Sequence, residues 1–112
     1  MNFDKGLRAI RHLLVIASVL LMSSCMTIGW EFPVHNVARI EIGKTSRSDI
    51  HDMFGPPWRT GIEDGRKVWT YAHYKYGLSG QTEARDLLVR FDDAGLVFSY
   101  TFSSSVPGEG DF

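Results

Sequence analysis

Cys25 is the only cysteine of this 112-residue chain, and His35, His51 and His73 are the histidines of its body. A thiol can serve as a nucleophile, a metal ligand or an attachment point, and each role needs different company. Nucleophilic catalysis needs a base or a cation beside the sulfur to draw out the thiolate. A metal site needs paired cysteines or a His-x-x-x-His spacing, and neither occurs. Asp92 and Asp93 are adjacent just before Gly95, which suits a turn better than acid–base work. Ser103, Ser104 and Ser105 stand in a small, polar C-terminal stretch with no rigid shell to orient a hydroxyl. Arg66, Lys67 and Lys75 are scattered and read as a solvated face. The pattern predicts no catalytic residue, no metal and no cofactor.

Attachment remains. Leu13–Met22 is an uncharged apolar run preceded by Lys5, Arg8 and Arg11 and followed by Ser23-Ser24-Cys25. A basic lead, a short apolar core and small residues before a cleavage point define an export signal. The run is too short to span a bilayer comfortably, which takes about 20 residues. Met22-Ser23-Ser24-Cys25 resembles the lipobox of bacterial lipoprotein signals, with Met22 where leucine is usual. In such signals the leader is removed and the cysteine becomes the acylated first residue. The alternatives are a soluble secreted protein with one free thiol, or an uncleaved anchor.

Removal of residues 1–24 from 112 leaves 88, enough for one small domain. Three of the twelve basic and one of the thirteen acidic residues leave with the leader, so the formal charge moves from −1 to −3. That balance argues against nucleic acid, which is held by clustered Lys and Arg. One cysteine permits no internal disulfide, so aromatic and aliphatic packing must stabilise the domain alone.

The elements follow from local pattern. Residues 25–33 read as an acylated start and tether, reaching at most about 30 Å when extended. Val34, Val37, Ala38 and Ile40 predict a short helix over 34–40 behind Pro33. A second helix over 46–54 is predicted, capped by Thr45 and closed by Gly55-Pro56-Pro57. Strands are predicted over 58–62, 67–76, 83–91 and 96–102, joined by turns at 63–66 and 92–95 and by a loop at 77–82. Residues 103–112 have the composition of a disordered tail. The expected fold is α+β: two short N-terminal helices packed on a three- to four-stranded antiparallel sheet, with the domain spanning 34–102.

Period-two alternation puts Trp69, Tyr71, Leu87, Val89 and Phe91 on the face covered by helices. It leaves Tyr74 and Tyr76 in the opposite phase, and sets Leu96, Phe98, Tyr100 and Phe102 on one side of the last strand with Val97 on the other. Aromatic rings therefore occupy both faces, while one helical layer covers only one. Either the remaining rings pack as cross-strand pairs or beneath the tail, or Tyr74, Tyr76, Phe98 and Tyr100 form a partner-binding surface.

The order Ile40–Ile50, Phe54-Gly55-Pro56-Pro57, Trp69-Thr70-Tyr71 and Phe91–Val97, behind the lipobox, resembles the SmpA/OmlA family of BamE-like bacterial outer-membrane lipoproteins. The resemblance covers residues 34–102. It implies a helix–helix–sheet fold, no enzymatic activity, three acyl chains on Cys25, and a lipid-anchored position on the periplasmic side of the outer membrane. Met26, which is not the aspartate that signals inner-membrane retention in enteric-type lipoproteins, agrees with that position. The implied function is a structural or adaptor module of the cell envelope, with outer-membrane protein assembly as one such role. Its expected partners are the membrane, through Cys25, and an envelope protein. A second reading is an inhibitor or binder of a periplasmic enzyme, since β-lactamase inhibitory proteins share this architecture, although fold alone is a weak warrant.

Overall fold

The β-branched and aromatic run at 67–76 becomes the centre of the sheet. The computed structural model describes residues 2–22 and 25–111. Ser23 and Ser24 of the cleavage motif lie outside the described residues, as do Met1 and Phe112. The residues expected to form an export leader are helix α1, Asn2–Met22. Among the described residues no helix is long and apolar enough to cross a membrane.

The domain begins earlier than its helices. Strand β1, Met26–Gly29, is followed by a 3₁₀ turn at Val34–Arg39 and helix α2 at Arg47–Phe54. Four further strands complete it: β2 Arg59–Glu63, β3 Arg66–Gly77, β4 Gly80–Phe91 and β5 Val97–Ser104. All pairings are antiparallel. β3 pairs with β4 on one side and β4 with β5 beyond it. β1 and β2 share the other edge of β3 end to end, β2 against residues 66–70 and β1 against residues 73–76. Between them, Trp58 N–H donates to Thr70 O and Trp30 N–H to Ala72 O. The edge is thus paired along almost its whole length, which protects it from adding a foreign strand.

Five strands therefore replace the three or four expected, because Met26–Gly29 joins the sheet. Gly29 makes this possible. Its φ is +75°, and a Cβ there would sit 2.0 Å from the Ala72 carbonyl oxygen. Only glycine lets the two backbones approach so closely.

The first expected helix is a 3₁₀ segment. Asn36 N–H bonds to Pro33 O and Ile40 N–H to Val37 O, both three residues back. A period of three aligns Val34, Val37 and Ile40 toward the core and turns Ala38 out to solvent. Asn36 Nδ2 donates to Met53 O at 2.8 Å and fastens the segment to the end of α2.

The cap of α2 is Ser46 rather than Thr45. Ser46 Oγ accepts from Asp49 N–H, and an Asp49 carboxylate oxygen accepts from Ser46 N–H, a reciprocal capping box. Those bonds hold the Asp49 carboxyl below its ordinary pKa, the backbone donor at Ser46 contributing most. Thr45 is instead buried, and its hydroxyl accepts from Glu41 N–H at 2.8 Å. Around it, Gly43 N–H donates to Val97 O, Val97 N–H to Thr45 O and Arg47 N–H to Gly95 O. This clips the start of α2 to the start of β5.

The core lies between α2, the 3₁₀ turn and one sheet face. Val37, Ile50, Tyr71, Leu87, Val89, Phe91 and Val97 are fully buried there. Phe32, Phe54 and Tyr71 form a ring cluster with centroids 5.4–6.3 Å apart, and Trp69 meets Phe91 edge-on at 5.1 Å. Tyr71 O–H donates to Gly55 O at 2.8 Å, tying the sheet to the end of α2. Burial pushes the Tyr71 hydroxyl well above its usual pKa.

Strand β5 does not keep one phase. The pairs Arg90↔Ser99 and Phe91↔Val97 enclose Phe98 as an extra residue, a β-bulge. Below the bulge Tyr100 and Phe102 face the core, and so does Val97 above it, while Phe98 leaves to the other face. Strict alternation cannot produce that arrangement. Residues 103–112, read in the sequence as a tail, start inside β5. Ser105 N–H donates to Ala84 O, and Glu109 forms an ion pair with Arg85.

Candidate functional site

The face of the sheet away from the helices is built by even-numbered residues of β3 and β4. Val68, Thr70, Ala72, Tyr74 and Tyr76 from β3 lie beside Arg90, Leu88, Asp86 and Ala84 from β4. Strand β1 adds Met26 opposite Tyr76 and Ile28 opposite Tyr74. Strand β5 adds Thr101, Ser103 and the bulged Phe98. Among the described residues, the helical core residues all pack on the opposite face.

This face changes character along the strands. At the end nearest Cys25, Tyr74, Tyr76, Ile28 and Met26 form an aromatic and aliphatic surface. Tyr74 O–H donates to an Asp86 carboxylate oxygen at 3.1 Å. Burial first, and the Asp86 charge second, raise the Tyr74 pKa, so its hydroxyl stays a donor. At the far end the surface is ionic. Arg90 Nε meets Glu63 at 3.0 Å, and the Arg66 guanidinium lies 4.0 Å from the Phe98 ring centroid.

Of the four aromatics expected to form a binding surface, Tyr74 and Tyr76 stand together and Phe98 lies on the same face at its ionic end. Tyr100 lies on the other face, packed against the core. Phase counting joined Phe98 to Tyr100, and the bulge separates them. Met26 and Ile28, in the segment expected to be a tether, complete this end of the face. The alternation Met26-Thr27-Ile28 closed by Gly29 was the available signal. Cys25 is exposed and immediately precedes β1.

A second group of polar residues lies on the helix-side face, beyond the reach of the helices. Arg85 Nε donates to Glu109 at 2.9 Å, its Nη1 to Glu83 at 3.2 Å, and Nη1 lies 3.4 Å from His73 Nδ1. The Glu109 hydrogen bond, above all, raises the Arg85 pKa further. A shallow cleft of about 350 Å³ separates this group from Glu31–His35. A guanidinium committed to two carboxylates acts as a clasp on the C-terminal segment rather than as an acid or a base. No sequence signal could have found it, because Arg85 and Glu109 are 24 positions apart. Among the described residues no group of three or more His, Cys, Asp or Glu is placed to hold a metal ion. His51 meets Trp69 edge-on, while His35 lines the cleft.

No curated protein and no solved structure significantly matches the chain. Residues 31–101 match the family described as the outer membrane protein assembly factor BamE domain, a span from just after β1 to well inside β5. That span includes the 3₁₀ turn, the capped α2, strands β2 to β4 and the first part of β5. The order of landmarks from Ile40 to Val97 and the family match agree, and the chain belongs to the family of the outer membrane protein assembly factor BamE domain.

Proposed function

We propose that the processed chain is a lipid-anchored, non-catalytic lipoprotein on the periplasmic side of the outer membrane. It acts as an adaptor in the envelope, with assembly of outer-membrane proteins as its field. The observation that carries this reading is the family domain at 31–101 placed directly behind an exposed, solitary Cys25 at the end of an export-type leader. The family supplies the field of activity; the cysteine supplies the anchor. The open sheet face, with Tyr74 and Ile28 at one end and the Arg66–Phe98 stack at the other, is the surface offered to an envelope protein. Large amphipathic rings suit such contacts, since they bury much area with few rotatable bonds.

Growth with labelled palmitate tests the anchor: the native chain takes up label, and Cys25→Ala does not. Depletion of the protein should then lower the amount of folded β-barrel proteins in the outer membrane. Unchanged barrel levels, with the anchor confirmed, would count against the assembly role and leave an envelope adaptor of another kind.

A further inference from the structure

Strand β1 starts one residue after Cys25, so the anchor is built into the sheet. Met26 is paired with Tyr76. Cys25 is one Cα step, about 3.8 Å, from Met26, and paired strands lie about 5 Å apart. The Cys25 Cα therefore stands within about 9 Å of Tyr76. Tyr76 leads directly into the tip of the β3–β4 hairpin, where Leu78 and Ser79 form the turn between Gly77 and Gly80.

That tip carries an exposed apolar side chain with no charge beside it. Residues 77–82 read Gly-Leu-Ser-Gly-Gln-Thr and carry no charge. Leu78 is 84% exposed and Met26 54% exposed. Tyr76, beside them, accepts from Gln81 Nε2 at 3.4 Å, an amphipathic ring with a polar tip. The nearest charges on the two strands, Lys75 and Glu83, are paired with each other at 3.6 Å. At the opposite end of the sheet the residues at the turns include Glu63, Asp64, Arg66, Lys67, Asp92 and Asp93. The tip that adjoins the anchor carries no charge; the other end is densely charged and points away from it.

We infer that the β3–β4 hairpin tip is a membrane-contacting element, with Leu78, Met26 and Tyr76 seated in the lipid interface beside the acyl chains of Cys25. The inference rests on acylation of Cys25. Its occupant is the bilayer itself, recognised by apolar burial: Leu78 belongs in the hydrocarbon border, and tyrosine favours the headgroup level. Because the tip has no cation, anionic lipid is not required. A β1 that pairs instead of dangling removes the slack of a tether. The two contacts together hold the strands upright on the membrane and present the open face sideways to a partner.

The test uses the full acylated protein in phosphatidylcholine vesicles. Acylation occupies the native thiol, so a cysteine introduced as Leu78→Cys takes a polarity-sensitive fluorophore alone, and Asp64→Cys provides the distal control. Both sites are exposed turn positions; Asp64 has a left-handed backbone (φ +50°), so circular dichroism first checks that its cysteine variant keeps the fold. The expected result is a blue shift and quenching by nitroxide-labelled lipid at position 78, with neither at position 64. Mass spectrometry of the same preparation separates the two ways of failing. An acylated chain whose label at 78 reports water overturns this inference alone, as does a signal that appears only with anionic lipid. A chain without lipid on Cys25 removes the anchor reading and this inference with it.

Discussion

Leu87 and Leu88 are identical neighbours in β4, yet they belong to different parts of the molecule. Leu87 has no exposed surface and sits among Tyr71, Phe102 and the helical residues of the core. Leu88 is half-buried on the open face between Thr70 and Thr101. The inner face is a packed interior sealed by Ile50, Phe54 and Val37. The outer face also carries large side chains, among them Tyr74, Tyr76, Leu88 and Phe98, and the helical core residues do not pack over it. The same residue type thus carries stability on one side of the sheet and remains available for contact on the other. Composition does not separate the two roles; what lies above each face does.

The comparison breaks most sharply at Leu87. Truncation to alanine should cost about 2–5 kcal/mol of unfolding free energy, since the closely packed site cannot collapse around the void. The matching Leu88→Ala change should cost under about 1.5 kcal/mol. Urea denaturation of the two variants measures the gap, and equal losses would mean that the outer face is covered after all.

Gly29→Ala tests how firmly β1 belongs to the sheet. A side chain at φ +75° costs about 1–3 kcal/mol in strain, and the Cβ would also collide with the Ala72 carbonyl. Strand β1 should release, and the amides of Ile28 and Trp30 should exchange with solvent far faster. Preserved protection there would show that the backbone can move aside.

Tyr71→Phe removes the hydroxyl that joins the sheet to Gly55 O and should cost about 0.5–1.5 kcal/mol. The loss should be independent of pH below the alkaline range, because burial already keeps the hydroxyl protonated.

Ser46→Ala should cost about 1 kcal/mol by removing one half of the capping box. The depressed Asp49 carboxyl gives this cap a pH signature. Its stabilisation is fully present above the carboxyl's ordinary value of 3.8 and is lost as pH falls through the lower folded-state value. NMR titration should therefore show Asp49 moving up toward 3.8 in the Ser46→Ala chain.

The smallest expected effect on stability is on the outer face itself. Exchange of Phe98 for serine should change unfolding free energy by no more than about 1 kcal/mol. The same chain should recover less of any envelope protein that the native chain crosslinks. A large stability loss with undiminished crosslinking would assign this ring to the fold instead.

Local chemistry alone determined a good share of this protein. The solitary cysteine behind an apolar run, the helix stop at Gly55-Pro56-Pro57, the turns at Asp64-Gly65 and Asp92–Gly95, and the inward phase of Trp69, Tyr71, Leu87, Val89 and Phe91 all follow from neighbours in the chain. Propensity, capping and period-two alternation act over a few residues, so they can be read in order along the sequence.

Tertiary structure decided the rest. Met26–Gly29 becomes a strand only because β3 offers a free edge about 45 residues away and Gly29 lets the Ala72 carbonyl come close. Phe98 and Tyr100 part company because β5 must both pair with β4 and meet the α2 start through Gly43, Thr45 and Val97, a double demand met by a bulge. Arg85 finds Glu109 across 24 positions, a contact no local rule anticipates. In each case the deciding partner is distant in the chain, and which face, edge or end a residue occupies is set by that partner's position, not by the residue's own type.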